Sequence, residues 1–153
     1  MIDIPDGNLG NGLYMTYSIS VTEWNHGEVK ERIVIPAGEQ TDYSSIPNKG
    51  ISGWIAKELG LEKSKSYFTR SGKIHDQLYF ALKYLNGILP AGWYQFLNPI
   101  TNEWEPVISY RWDRQQADSI WRRISIEDGC PPQIAERGYR FLRVFGGLHM
   151  KLN

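Results

Sequence analysis

One imidazole, three carboxylates and a hydroxyl fall in three short stretches of this 153-residue chain. Asp42 and Ser45 lie in Thr41-Asp42-Tyr43-Ser44-Ser45-Ile46-Pro47, His75 and Asp76 in Ile74-His75-Asp76-Gln77-Leu78-Tyr79, and Asp118 follows Ala117. Such side chains are costly to bury unless hydrogen-bonded, paired or metal-bound, so their placement among apolar neighbours points to one shared polar site. Asp42, His75, Asp76 and Asp118 together offer one nitrogen and several oxygen donors, a set suited to zinc, manganese or magnesium. A metal held there would lower the pKa of a bound water and make it a nucleophile at neutral pH. A metal-free alternative uses Ser45 as nucleophile, His75 as its base and a carboxylate to orient the imidazole, but no G-x-S-x-G pattern surrounds Ser45. Each member also has a structural explanation. Asp42 can accept hydrogen bonds from the backbone near Ser44 and Ser45, and Asp118 can pair with Arg114 or Arg122, one helical turn away. The same residues are therefore expected to form either a hydrolytic site or a buried polar network.

The elements that must position them follow from periodicity. Leu13 to Val21 and Glu28 to Ile35 are rich in β-formers, and Glu23-Trp24-Asn25-His26-Gly27 between them reads as a turn, giving a β-hairpin. Pro36 and Gly38 end the second strand, so Thr41 to Pro47 is expected as a loop at a strand exit. Ile51 to Leu61 reads as a short helix. From about Tyr67 to Leu85 the residues Ile74, Leu78, Ala81, Leu82 and Leu85 recur at helical spacing, with His75 and Tyr79 one turn apart beside the stripe. Trp93 to Leu97 and Trp104 to Ile108 read as a second hairpin, within a segment 86–112 that is expected to be a projecting insertion. Ala117, Ile120, Trp121 and Ile124 predict an amphipathic helix over Arg114 to Ser125. Pro131-Pro132 can open a last helix and Gly146-Gly147 can close it. The pattern implies a single α+β domain, a small antiparallel sheet packed against three main helices.

Composition narrows the function classes. Lys and Arg number 17 against 17 Asp and Glu, so the net field favours neither nucleic acid nor an anionic membrane. Arg137, Arg140 and Arg143 recur every third residue near Arg122 and Arg123, a spacing that suits a basic strip for phosphates or, in a neutral chain, an ordinary solvated helix face. His26 and His149 read as surface residues. Cys130 is the single cysteine, which excludes an internal disulfide and reads as a buried thiol. The first residues lack a basic region followed by an apolar run, and no stretch reaches the roughly 18 apolar residues of a membrane span. A soluble protein made in the cytoplasm is expected. Six Trp, nine Tyr and five Phe are a heavy aromatic load, fitting core packing or a rim for a partner.

Taken in order, I-V-I-P-A-G-x-x-T-D-x-x-S-I-P (Ile33 to Pro47), I-H-D-x-L-Y (Ile74 to Tyr79), R-x-x-A-D (Arg114 to Asp118) and R-x-x-R-x-F-G-G (Arg140 to Gly147) resemble the domain of unknown function 1353 family of bacteriophages and prophages. The resemblance implies a phage origin and a compact domain with these motifs near one another, and it carries no reaction. The gap between Tyr79 and Arg114 is longer than in that family, which marks the second hairpin as an insertion. The leading expectation is a phage accessory protein with a polar, metal-dependent hydrolase site acting at the host envelope or with the tail. The alternative is a non-catalytic virion component of the tail or baseplate, whose motifs form a structural network and whose partners are other phage proteins. A third reading is an intracellular effector that binds a host protein. Synthesis in the host cytoplasm, with incorporation into the virion, fits the first two.

Overall fold

The computed structural model describes residues 7–10, 13–15, 20–36, 40–41 and 67–151. The loop carrying Asp42 and Ser45 and the helix expected over Ile51 to Leu61 lie outside the described residues. The fold is α+β, with antiparallel sheets and, among the described residues, three α-helices. The strands belong to one compact unit, residues 1–42 and 88–111, and the helices to a second, residues 43–87 and 112–153.

In the sheet unit, β1 (Gly7–Gly10), β2 (Leu13–Met15) and β5 (Gln40–Thr41) form a three-stranded sheet. A four-stranded sheet is ordered β3 (Ser20–His26), β4 (Val29–Ile35), β6 (Tyr94–Leu97), β7 (Trp104–Pro106). Strands β3 and β4 pair from Ser20↔Ile35 to His26↔Val29. The turn is therefore only Gly27 and Glu28, with Gly27 at φ +66°, and the expected turn residues Glu23 to His26 remain in the strand. A two-residue hairpin loop with glycine first matches strand twist, and it leaves Trp24 on the inward phase of β3. Alternation does the rest: Thr22, Trp24, Glu31, Ile33 and Ile35 are buried, while Val21, Glu23, Lys30, Arg32 and Val34 on the opposite face are half-buried.

The aromatic runs do form an antiparallel pair, Leu97↔Trp104 to Gln95↔Pro106. They do not project as a free ribbon. Strand β6 pairs with β4 through Glu31↔Phe96, Arg32↔Gln95 and Ile33↔Tyr94, and Val34 N–H donates to the Trp93 carbonyl at 2.8 Å. An isolated hairpin is marginal in water, and pairing with the edge of β4 satisfies backbone groups on both sides. Tyr94 is buried in consequence, whereas Ile100 and Ile108 of the same segment are 92% and 82% exposed.

Among the described residues the helical unit holds α1 (Thr69–Tyr84), α2 (Arg114–Glu127) and α3 (Pro132–Lys151). Helix α2 starts in a capping box: Gln116 N–H donates to Asp113 Oδ1 at 2.7 Å, and Asp113 N–H donates to Gln116 Oε1 at 2.9 Å. Ile74, Leu78, Ala81, Ala117, Ile120, Trp121 and Ile124 are buried, as the helical periodicities predict, whereas Leu82 is half-buried and Leu85, just past the end of α1, is exposed; Leu142 of α3 is buried as well. Ser125 donates to Ser71 at 2.8 Å, and Arg70 clasps Asp128 through Nε and Nη2 at 3.1 and 2.9 Å, tying α1 to the end of α2. Helix α3 does not close at Gly146-Gly147 but continues to Lys151. A Cβ on Gly146 would lie 2.5 Å from the Tyr79 hydroxyl, so glycine there serves close helix packing rather than termination.

Candidate functional site

Helical spacing sets one turn of α1 against α2. His75 and Tyr79 are four residues apart, so they project from the same face, and their ring centroids are 4.1 Å apart. Both reach Asp118 of α2: the Tyr79 hydroxyl donates to Oδ1 at 2.6 Å, and His75 Nε2 is 2.8 Å from the same oxygen. The other carboxylate oxygen faces cations. Arg143 of α3 donates from Nη1 to Oδ2 at 2.9 Å, and Arg114 Nη1, four residues before Asp118, lies 3.6 Å away. Arg114 also donates to the carbonyls of Leu142 and Arg143 at 2.9 and 3.0 Å. Gly146 leaves room for this, since a Cβ there would also come within 3.1 Å of Arg114 Nη1. One carboxylate thus joins three helices.

Burial alone would raise the pKa of Asp118, but the hydrogen bond and charge of His75, with the Tyr79 and Arg143 hydrogen bonds, outweigh it and hold the carboxyl below its ordinary range. Asp118 is accordingly a carboxylate at neutral pH. It offers only acceptors, so His75 carries a proton on Nε2. Burial, followed by the neighbouring Asp118 charge, pushes the Tyr79 phenol far above its ordinary value, so Tyr79 remains a hydroxyl donor.

Of the five residues singled out by sequence, His75 and Asp118 meet directly. Asp76 is buried on α1 but sits about 100° round the helix from His75, and none of the hydrogen bonds to Asp118 comes from it. Asp42 and Ser45 fall outside the described residues. A divalent ion needs free oxygen lone pairs, and here Oδ1 accepts from two donors while Oδ2 faces two guanidinium groups. The Asp118 cluster therefore does not fit a cation. Among the described residues no three His, Cys, Asp or Glu side chains gather as metal ligands.

Sequence reasoning passed over Tyr79 and Arg143 as members of this cluster, although i, i+4 spacing from His75 was a usable signal for Tyr79. It also missed a second buried carboxylate, in the sheet unit. Glu31 is 8% exposed and accepts from Trp24 Nε1 at 2.9 Å and from the Tyr94 hydroxyl, with His26 Nδ1 at 2.9 Å. The signal was a charged residue on the inward phase of β4, in step with Ile33 and Ile35. Of the supposed basic strip, Arg143 is spent on Asp118, while Arg122 and Arg140 pair with Glu136 at 2.7 and 3.3 Å. The described helices include none long and apolar enough to cross a membrane. No protein-family model, curated protein or solved structure matches the chain.

Proposed function

We propose that this protein works by docking rather than by catalysis, as a phage-encoded component of a tail or baseplate, with the Asp118 cluster acting as an internal brace. The observation that carries this reading is the saturation of Asp118 by Tyr79, His75, Arg143 and Arg114, in a place where His75 is 1% and Asp118 0% exposed. A catalytic carboxylate or imidazole needs a face open to substrate or water, and here both groups are buried, Asp118 engages donors from neighbouring helices with both its oxygens, and His75 gives Nε2 to it. Phage origin is supported by the ordered motifs from Ile33 to Gly147, and a docking role by the aromatic segment that displays Ile100 and Ile108 to solvent. The metal-dependent hydrolase at the host envelope is the weaker reading, because it needs acceptors that the cluster has already committed.

Mass spectrometry of purified particles of the encoding phage tests this. The chain is expected there at a fixed ratio to tail proteins, and the purified protein is expected to show no rise in melting temperature with excess zinc, manganese or magnesium. Absence from particles, together with a metal-dependent rise that His75→Ala abolishes, would overturn the proposal in favour of the hydrolase.

A further inference from the structure

The outward face of the four-stranded sheet holds an arginine with several supports and, among the described residues, no ion pair, although Glu23 stands opposite it in the β3–β4 register. Arg32 of β4 stands opposite Gln95 of β6, and Leu97 of β6 opposite Trp104 of β7, so the four side chains share one face. Gln95 is anchored by its Nε2, which donates to the Gly92 carbonyl at 2.7 Å, and its Oε1 accepts from Arg32 Nε at 2.8 Å. The guanidinium then lies over the Trp104 ring, 4.1 Å from its centroid. These contacts use Nε and one π-face of the group, and among the described residues neither Nη nitrogen has a hydrogen-bond partner. Among the described residues Arg32 forms no ion pair, whereas its neighbour on the same strand face, Lys30, pairs with Glu23 at 3.8 Å.

Fixing an arginine in one rotamer costs side-chain entropy, and among the described residues no ion pair to Arg32 offsets that cost. An arginine held by stacking and by its Nε presents a planar two-nitrogen fork, the complement of a carboxylate's two oxygens. We infer that Arg32, set by Gln95 and Trp104, is a recognition point for a single acidic side chain, Asp or Glu, on a protein partner. A nucleic-acid backbone would need several cations in a row. Here Lys30 is engaged, and Trp104 is flanked in sequence by Glu103 and Glu105. The half-buried Trp104 and Leu97 supply apolar surface for the stem of the acidic residue, and Arg and Trp are the usual anchors of protein interfaces. This deepens the docking reading and rests on it.

The test uses the full-length chain labelled with 15N and three probes: acetyl-Ala-Glu-Ala-amide, its Gln counterpart and inorganic phosphate. The Trp104 indole N–H and Arg32 Nε–H resonances are expected to move with the Glu peptide and not with the Gln peptide. Arg32→Lys keeps the charge but loses the fork, and is expected to weaken binding about tenfold. Trp104→Leu, which removes the platform, should weaken it as well and serves if the lysine variant fails to fold. An equal response to the Gln peptide, an undiminished affinity in either variant, no movement at all, or a larger response to phosphate would overturn the assignment. Absence of the chain from particles would sink the docking component and leave the peptide result to be judged alone.

Discussion

Replacing Asp118 by Asn keeps the shape of the side chain but removes the charge that Arg143 and Arg114 face, and turns into a donor either the oxygen they face or the one that His75 and Tyr79 share. Breaking a buried pair from one side leaves its partners uncompensated, so Asp118→Asn is expected to lower stability by about 3 kcal/mol in chemical denaturation. The pH dependence follows from the same group. Its folded pKa lies below the ordinary 3.8, so near that pH the unfolded chain binds more protons than the folded one and stability rises with pH. The contribution is fully present above that value and is lost as pH falls through the folded one. A denaturant midpoint measured against pH should therefore show an acid limb in the wild type that Asp118→Asn flattens. Equal limbs in the two proteins would mean that other carboxylates set the acid sensitivity.

Between elements, the contact of α3 with α1 and α2 depends on a missing side chain. Gly146→Ala improves helix propensity by about 1 kcal/mol. It also drives a methyl to 2.5 Å from the Tyr79 hydroxyl and 3.1 Å from Arg114 Nη1, and overpacking of this kind costs about 1–3 kcal/mol. The net expectation is destabilisation, and Tyr79→Phe should relieve part of it by removing the crowded oxygen. A double-mutant cycle read by thermal unfolding measures the coupling, and strict additivity would mean that α3 shifts instead of clashing. This element shows why part of the site could be read from sequence and part could not. His75 with Tyr79, and Asp118 with Arg114, are spaced by four on strongly periodic helices, so their shared faces are local facts. The choice of Arg143 as partner to Asp118, and the use of Gly146 for packing, depend on where a third helix lies. A Gly-Gly pair considered locally looks like a stop, and only the tertiary contact removes that meaning.

At the scale of the whole molecule, the α+β class and the three helices were legible because periods of two and 3.6 are written along the chain. The place of the second hairpin was not. Trp93 to Ile108 carries the signals of a hairpin but none that names β4 as its neighbour, and nothing local to Glu31 names Trp24 and Tyr94 as its donors. That pairing joins positions 63 residues apart, across a segment that contains all of α1. Closing so long a loop is slow compared with forming a helix or the two-residue β3–β4 turn. A nascent or refolding chain is thus expected to hold the β3–β4 ribbon early and to wait for β6. Pulse-labelled hydrogen exchange should find the Trp24 and Ile33 amides, which face across the β3–β4 ladder, protected before those of Val34 and Gln95, which face across β4–β6, and simultaneous protection would remove the delay. During the wait, β4 offers an open edge with Glu31 lacking its Tyr94 donor, and an identical strand from another molecule is the competitor most able to take it. Rapid, dilute refolding should favour the monomer, and crowded synthesis should favour exchanged dimers.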